Sequence, residues 1–233
     1  DGYWSRGLGD VYKRQGRTNA DGSYTVKPEV DSDEITNYEF GWKTISKDGQ
    51  LRFKGSAFMV DVAGLQSTIF DPSIVNLFFS DNAADAEIKG VEGDFTYFTD
   101  VEGLSVAGAF SFLDTEITKK LVPTDDVIVG EELAFAPGVQ ANVRVRQEFA
   151  MSAGYVGHVQ AQFTYSDESF SDIMEPNKAR QAGYSYIDLR AGMTNDDITA
   201  ELYIDNVTDE RAEISNTFVS VSYTHLTLPT NSN

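Results

Sequence analysis

Between Ala153 and Tyr165 every second residue belongs to a different kind of surface. Ala153, Tyr155, Gly157, Val159, Ala161, Phe163 and Tyr165 form one series; Gly154, Val156, His158, Gln160, Gln162 and Thr164 form the other. The stretch from Val139 repeats this, with Val139, Ala141, Val143 and Val145 set against Gln140, Asn142, Arg144, Arg146 and Glu148. Ile198, Ala200, Leu202 and Ile204 alternate with Thr199, Glu201, Tyr203 and Asp205, and Leu104, Val106, Gly108, Phe110 and Phe112 alternate with small residues. A period of two puts successive side chains on opposite faces of a strand. The pattern predicts eight strands, at 35–46, 51–63, 86–98, 103–114, 139–149, 152–166, 184–194 and 198–206.

These strands are longer than the roughly 5–6 residues usual in soluble sheets. Most match the 9–11 or so residues of a tilted strand crossing a bilayer. The connections alternate in length. Lys47–Gln50, with Asp48-Gly49 suited to a hairpin turn, is short; 64–85 is long; 99–102 is short; 115–138 is long; Ala150-Met151 is short; 167–183 is long; Asn195-Asp196-Asp197 is short. Short turns at one end and long loops at the other are the layout of an antiparallel transmembrane β-barrel, with the short turns in the periplasm. On that layout strand 35–46 runs inward and strand 198–206 runs outward. A closed barrel with both termini in the periplasm starts outward and finishes inward. The parity therefore predicts at least one further strand after 206 and an odd number before 35.

Composition removes several alternatives. Hydrophobic residues make up 41% and charged residues 24%, which suits a folded chain. No apolar run is long enough for a spanning helix. Acidic residues outnumber basic ones 37 to 18, for a formal charge of -19, which argues against a nucleic-acid partner. With no cysteine there are no disulfides, thiolate metal sites or cysteine nucleophiles. His158 and His225 are the only histidines. Glycine-rich phosphate loops, Ser-His-Asp arrangements and the HExxH zinc motif are missing, so no enzymatic chemistry and no cofactor is predicted.

The two ends read differently. Asp10-Val11-Tyr12-Lys13-Arg14-Gln15 resembles a translated sequencing-library adapter, and Val221-Ser222-Tyr223-Thr224-His225-Leu226 onward resembles the reverse complement of the same adapter. Residues 1–15 and 221–233 are therefore expected to be non-native, leaving 16–220 as one partial barrel and His158 as its one histidine.

Several stretches resemble the C-terminal part of TonB-dependent outer-membrane receptors. Asn37-Tyr38-Glu39-Phe40-Gly41-Trp42-Lys43 followed by Asp48-Gly49 is similar to that family's recurrent strand and turn; Ala57-Phe58-Met59-Val60-Asp61-Val62 with Gln66 is similar to the next strand. Asn82-Ala83-Ala84-Asp85-Ala86-Glu87-Ile88-Lys89-Gly90-Val91-Glu92 is the nearest match. Tyr186-Ile187-Asp188-Leu189-Arg190 and Leu202 to Glu210 resemble the penultimate hairpin and its exit. The five pieces occur in the family's order and cover about 35–218. The resemblance implies about eight strands of a roughly 22-stranded barrel in the outer membrane of a Gram-negative bacterium. It also implies energy-coupled import of a scarce nutrient: siderophore-iron, cobalamin, haem or an oligosaccharide. The implied partners are outer-membrane lipid and lipopolysaccharide, the receptor's own plug domain, the inner-membrane TonB complex acting through an N-terminal box, and a small nutrient ligand.

Particular residues carry particular expectations. Glu39, Glu92, Arg144, Arg146, Glu148 and Gln160 fall on polar faces and are expected to line the lumen. His158 is expected to be a plain lumen-facing polar residue. Tyr38, Phe40, Trp42, Tyr97, Tyr165, Tyr184 and Tyr203 are candidates for the aromatic girdles at the membrane interfaces. Ligand-contact candidates in the outer loops are Phe70, Phe78 and Phe79, in an apolar stretch that either forms a lip or extends a strand. Asp125, Asp126, Glu131, Glu132, Asp167, Glu168 and Asp172 join them. These carboxylates lack the spacing of a calcium loop, so no metal is assigned. A small self-contained outer-membrane barrel and a soluble β-sandwich remain as the other readings of the pattern.

Overall fold

A computed structural model describes residues 17–18, 24–25, 30–71, 77–122 and 125–216, with backbone alone at 17–18, 24–25, 69–71 and 77–79. The ends read as adapter-derived, 1–15 and 221–233, lie outside the described residues. The strands are β1 (Arg17–Thr18), β2 (Tyr24–Thr25), β3 (Glu34–Ile45), β4 (Leu51–Asp71), β5 (Leu77–Phe98) and β6 (Leu104–Lys120). They continue with β7 (Val139–Ala150), β8 (Val156–Ser166), β9 (Ser169–Phe170), β10 (Arg180–Gln181), β11 (Tyr184–Thr194) and β12 (Thr199–Ile204). β1 pairs with β2, and β9 with β10. The other eight form one antiparallel sheet in the order β3-β4-β5-β6-β7-β8-β11-β12, each strand beside its chain neighbour among the long strands. All eight long strands correspond to the alternating segments.

Register converts the alternation into two continuous faces. Val143 pairs with Phe163, Ala161 with Leu189, and Ala191 with Leu202, so the apolar series of β7, β8, β11 and β12 share one side. On β4, β5 and β6 the same side carries Phe53, Phe95, Val91, Val106, Phe110 and Phe112. The opposite side carries Lys54, Asp94, Arg144, Gln162, Gln160 and Arg190. The apolar side is uncovered: Val143 is 38% and Phe163 45% exposed. A soluble sandwich would cover such a face with a second sheet, and no second large sheet occurs among the described residues. The uncovered side is the lipid-facing wall and the polar side is the lumen.

The lipid-facing band has a sharp outer limit. Going outward, Val91 on β5 is followed on the same face by Lys89 and Glu87, Met59 on β4 by Asp61, and Phe112 on β6 by Asp114 and Glu116. Across the band a row of rings, Phe40, Trp42, Phe53, Phe110 and Phe112, lies with successive centroids 5.5–6.3 Å apart. Glycine makes room for this row: a Cβ on Gly55 would sit 2.6 Å from the Trp42 ring, and one on Gly93 3.0 Å from the Phe110 ring. Tyr38, Phe40, Trp42, Tyr97 and Tyr165 share the lipid-facing register, as girdle residues must. Tyr184 and Tyr203 do not. Tyr184 pairs with Ser166 and Tyr203 with Arg190, which places both on the lumen side.

Three boundaries depart from the sequence reading. The stretch 64–85, expected as a loop, is mostly strand. β4 is 21 residues long and β5 22, against 12 for β7 and 11 for β8. At roughly 3.3 Å per residue, β4 alone is about 70 Å long, far more than the 9–11 or so residues that cross a bilayer. The hairpin therefore stands well clear of the membrane, where neither face meets lipid and the alternation that marks a strand disappears. Backbone pairing such as Ser67 with Asp81 and Phe70 with Phe78 carries it instead. Similarly, β6 runs on to Lys120. Finally, β8 starts at Val156 and not at 152, because Ala153 and Gly154 turn the chain with φ of 57° and 77°.

The short turns gather at one end. Gly103 closes the β5–β6 turn with φ of 75°, and a Cβ there would lie 2.1 Å from the Glu148 carbonyl oxygen, so only glycine fits. That carbonyl belongs to β7, whose Glu148 N–H donates back to the Gly103 carbonyl at 2.8 Å. This bond ties the β5–β6 turn to the inner end of β7.

Candidate functional site

The buried apolar core lies at the opposite end, above the lipid band. It consists of Ala83, Ala84, Ile117, Val122, Val127, Ile173 and Met174, with Leu65, Leu133 and Ala134 packed on it. Ala83, Ala84 and Ile117 are fully buried. The small side chains at 83 and 84 leave space on the outer part of β5 for the loop between β6 and β7 (121–138). The Leu121 N–H donates to the Ala83 carbonyl at 3.0 Å.

The loop at 121–138 and the loop at 167–183 are joined to each other. Val127 and Met174 form a β-bridge, the Glu175 N–H donates to the Asp126 carbonyl at 2.8 Å, and the Phe135 N–H donates to the Phe170 carbonyl at 2.7 Å. Lys178 fastens the junction. Its ammonium donates to Glu131 at 2.5 Å and to Glu175 at 3.2 Å, and lies 4.6 Å from the Phe170 ring centroid. The approach to β3 is tied to the tall hairpin through Asn82. Its Nδ2 donates to the carbonyls of Asp31 and Gly64 at 2.9 and 2.6 Å, and its Oδ1 accepts from the Asp31 N–H at 2.9 Å.

Burial pulls the Lys178 pKa down, but the bonds to Glu131 and Glu175 outweigh it and hold the amine above its usual value of 10.5. A folded pKa raised above the unfolded one gives stability that is complete below the unfolded value and is lost as pH rises through the folded value. Cleavage of these two loops by an alkali-tolerant protease should therefore be flat from neutral pH to about 10 and climb above that. In Lys178→Met it should be fast at every pH. A wild-type cleavage rate that already climbs near pH 8 would show that another group holds the loops.

The structure separates the predicted ligand-contact residues. Asp125 is exposed and pairs with Lys120 at 3.4 Å. Asp126 reaches the partner loop through its carbonyl, and Glu131 binds Lys178. Glu132 is exposed. Asp167 accepts from the Glu168 N–H at 2.9 Å and from the Tyr165 hydroxyl at 3.3 Å. Glu168 pairs with Arg180, and Asp172 accepts from the Met174 N–H at 3.0 Å. The carboxylates of Asp125, Glu131, Asp167, Glu168 and Asp172 thus take part in holding the loop scaffold. No group of three or more His, Cys, Asp or Glu suited to a metal occurs among the described residues. The backbones of Phe70, Phe78 and Phe79 lie in the paired part of the tall hairpin, and their side chains lie outside the described residues.

Lower down, the lumen wall carries a ladder of polar contacts. Lys54 pairs with Asp94 at 3.7 Å, Ser56 donates to Glu92 at 3.3 Å, and Arg146 donates to Glu148 at 2.9 Å. Small residues on β6 make room for the basic side chains: Ala107 stands opposite Arg144 and Ser105 opposite Arg146. His158 is more than a plain lumen residue. It is buried, its Nε2 lies 3.0 Å from Glu201 Oε2, and Glu201 also accepts from Arg190 at 3.5 Å. The ring sits over Gly192, where a Cβ would come within 2.7 Å of its Cε1.

Sequence reading missed Lys178, Asn82 and the Ala83-Ala84 floor as parts of one assembly. Asn82-Ala83-Ala84 was visible only as a family motif, and a lone lysine in an acidic loop carries no signal of its own.

An uncovered apolar wall, a polar lumen face, short turns at one end and knitted loops at the other define a segment of outer-membrane barrel. A family model described as TonB dependent receptor-like, beta-barrel matches residues 3–207, and the chain belongs to that family. Solved structures agree in fold. The ferric yersiniabactin uptake receptor FyuA from Yersinia pestis is 16% identical at a TM-score of 0.64, covering 85% of this chain and 29% of that one. The siderophore receptor PiuA from Acinetobacter baumannii is 19% identical at 0.62, covering 82% and 26%. The pyoverdine outer membrane receptor FpvA from Pseudomonas aeruginosa PAO1, solved with pyoverdine bound, is 18% identical at 0.55, covering 81% and 27%. The chain thus spans less than a third of the length of these structures. No curated protein sequence matches it. Barrels of this family are transport receptors, not enzymes, of the Gram-negative outer membrane, and this chain is placed there with them.

Proposed function

We propose that this chain supplies barrel wall and outer loops to an energy-coupled receptor that imports a scarce nutrient, from the set of siderophore-iron, cobalamin, haem and oligosaccharides. The supporting observation is the pairing of the two faces in one sheet. Within the membrane band the side that meets lipid is apolar, while the side that meets the lumen carries Lys54, Glu92, Asp94, Arg144, Gln160 and Gln162 at the same height. Such a wall satisfies its backbone hydrogen bonds strand to strand, as lipid requires. Its lumen ladder offers hydrogen bonds and charges to a plug domain. Its outer loops, Asp125, Asp126, Glu131, Glu132, Asp167, Glu168 and Asp172 among them, form part of the entrance through which ligand passes. Lys89 and Lys119, just above the lipid band, face the level of lipopolysaccharide head groups. Energy would come from the inner-membrane TonB complex acting on an N-terminal segment of the receptor.

The test is uptake by cells carrying the full-length receptor. It should fractionate with the outer membrane, migrate differently on gels when unheated, and support nutrient uptake that stops when the inner-membrane TonB complex is deleted. Recovery in the soluble fraction, or uptake indifferent to that deletion, would refute the reading.

A further inference from the structure

We infer that the lumen wall beneath the outer loops carries a subsite for an uncharged, hydroxyl-rich ligand of the carbohydrate class, built on Gln181, Thr164 and the parallel rings of Tyr184 and Tyr186. The inference rests on the receptor reading above and deepens it.

Two hollows meet at this level. One, of about 330 Å³, is lined on its lumen side by Ser111, Gln140, Asn142, Thr164, Ser166 and Tyr184. The other, of about 140 Å³, lies beside it and shares Gln140, Ser166 and Tyr184, adding Ser169, Gln181 and Phe135. The shared residues make them one continuous surface, bounded by the outer ends of β7, β8 and β11 and by β9–β10. Their polar floor is built of amides and hydroxyls. No lysine or arginine lines either hollow, and the charged lining residues are Asp167 and Glu213, both acidic.

Two polar atoms here are left without a partner. Gln181 is 3% exposed; its Oε1 accepts from the Ser169 hydroxyl at 2.9 Å, but its Nε2 has no partner among the described residues. The same is true of the buried Thr164 hydroxyl. A buried donor kept dry and unpaired is unfavourable, and native interiors pair nearly all of them. Gln181 belongs to the lining of the smaller hollow and Thr164 to that of the larger, and an occupant that brings its own oxygen atoms can pair them once the side chains turn toward it.

The rings specify the rest of its chemistry. Tyr184 and Tyr186 follow each other on the lumen face of β11 with planes 10° apart and centroids 6.3 Å apart. Parallel rings at the strand repeat give apolar surface for the C–H face of a sugar ring, while phenol, amide and hydroxyl groups meet its hydroxyls. An anionic iron chelate or an acidic glycan finds no cation here and meets Asp167 and Glu213 instead.

The test uses the full-length receptor, purified in detergent and applied to an array of neutral and acidic glycans, with ferric citrate titrated separately. A neutral glycan should be retained. Its affinity should fall about tenfold in Gln181→Ala and in Tyr184→Ala, as expected for one lost hydrogen bond or ring contact. Gln181→Glu, which keeps the acceptor for Ser169 and replaces the donor with a charge, should fall at least as far. Tyr184→Phe should retain most of the affinity that Tyr184→Ala loses. Outer-membrane yield of all four variants should be unchanged. Retention of acidic glycans or ferric citrate alone, retention of no glycan, or neutral-glycan affinity indifferent to Gln181 and Tyr184 would each overturn the subsite. In those cases the hollow is filled by another segment of the receptor or serves a different ligand. The receptor reading would still stand if uptake depends on the TonB complex, so the two failures are separable.

Discussion

Val143→Lys should cost the receptor about 2–4 kcal/mol of stability in the membrane, the penalty for a cation on the lipid face near the bilayer midplane. Val143 pairs with Phe163 on one side and Gly108 on the other, in the middle of the apolar band. A lysine there has neither a carboxylate partner nor a short route to water. One position along, Arg144 already places a cation on the lumen face opposite Ala107 and Gln162. The matched control is therefore Arg144→Leu, which removes a charge from water and changes no lipid contact. The measurement is the amount of unheated, compact receptor in the outer membrane. Val143→Lys should be severely depleted and Arg144→Leu close to wild type. Equal depletion of both would mean that the two faces have been assigned the wrong way round.

Ile117→Ala should cost about 2–5 kcal/mol, the usual range for emptying a fully buried aliphatic site, and the loss should be confined to the outer cap. Ile117 is completely buried between the tall hairpin and the loop at 121–138, and its backbone receives and gives bonds there. The Ile117 N–H donates to the Glu131 carbonyl at 2.8 Å, and the Gly130 N–H donates to the Ile117 carbonyl at 2.9 Å. The cap and the membrane wall share the strands β4, β5 and β6 but not a core, because the wall has its apolar side chains in lipid. Hydrogen exchange should therefore quicken at the amides of Leu133, Phe135 and Glu175, which bond across the cap, and stay slow between β7 and β8. Met174→Ala, which opens the same core from the other loop, should give the same pattern. Exchange that quickens over the whole sheet would show that cap and wall unfold as one unit.

The cap also bears on how the receptor opens. Loops at 121–138 and 167–183 are fixed to a core and to each other through the Val127–Met174 bridge and Lys178. Low-stability segments are the ones that move in binding and gating, and this pair has the features of the opposite kind.

The legible parts of the fold were those where the surroundings differ from one side of the sheet to the other. Within the lipid band, β7, β8 and β11 could be read to within a residue or a few, because lipid and lumen impose opposite demands at alternate positions. Above the band the tall hairpin was read as a loop, since water on both sides removes the alternation while backbone pairing continues. Tyr184 and Tyr203 were counted with the girdle because aromatic identity does not say which face a residue takes. Only their partners, Ser166 and Arg190, place them in the lumen. The acidic outer loops were legible as loops. Which acids are committed to the scaffold was not, because Glu131 meets Lys178 and Glu168 meets Arg180 across separations that no local pattern encodes.

The amino-acid sequence by itself determined the strands, their two chemical faces, the end at which the turns are short, and the family, since each follows from side-chain period or local motif. Tertiary structure alone decided how far the β4–β5 hairpin rises, that a dry core sits outside the membrane, and that Gln181 and Thr164 line adjoining hollows that share Tyr184. Those properties depend on contacts between strands and loops distant along the chain. Their energies come from burial and pairing in three dimensions, which no single segment carries.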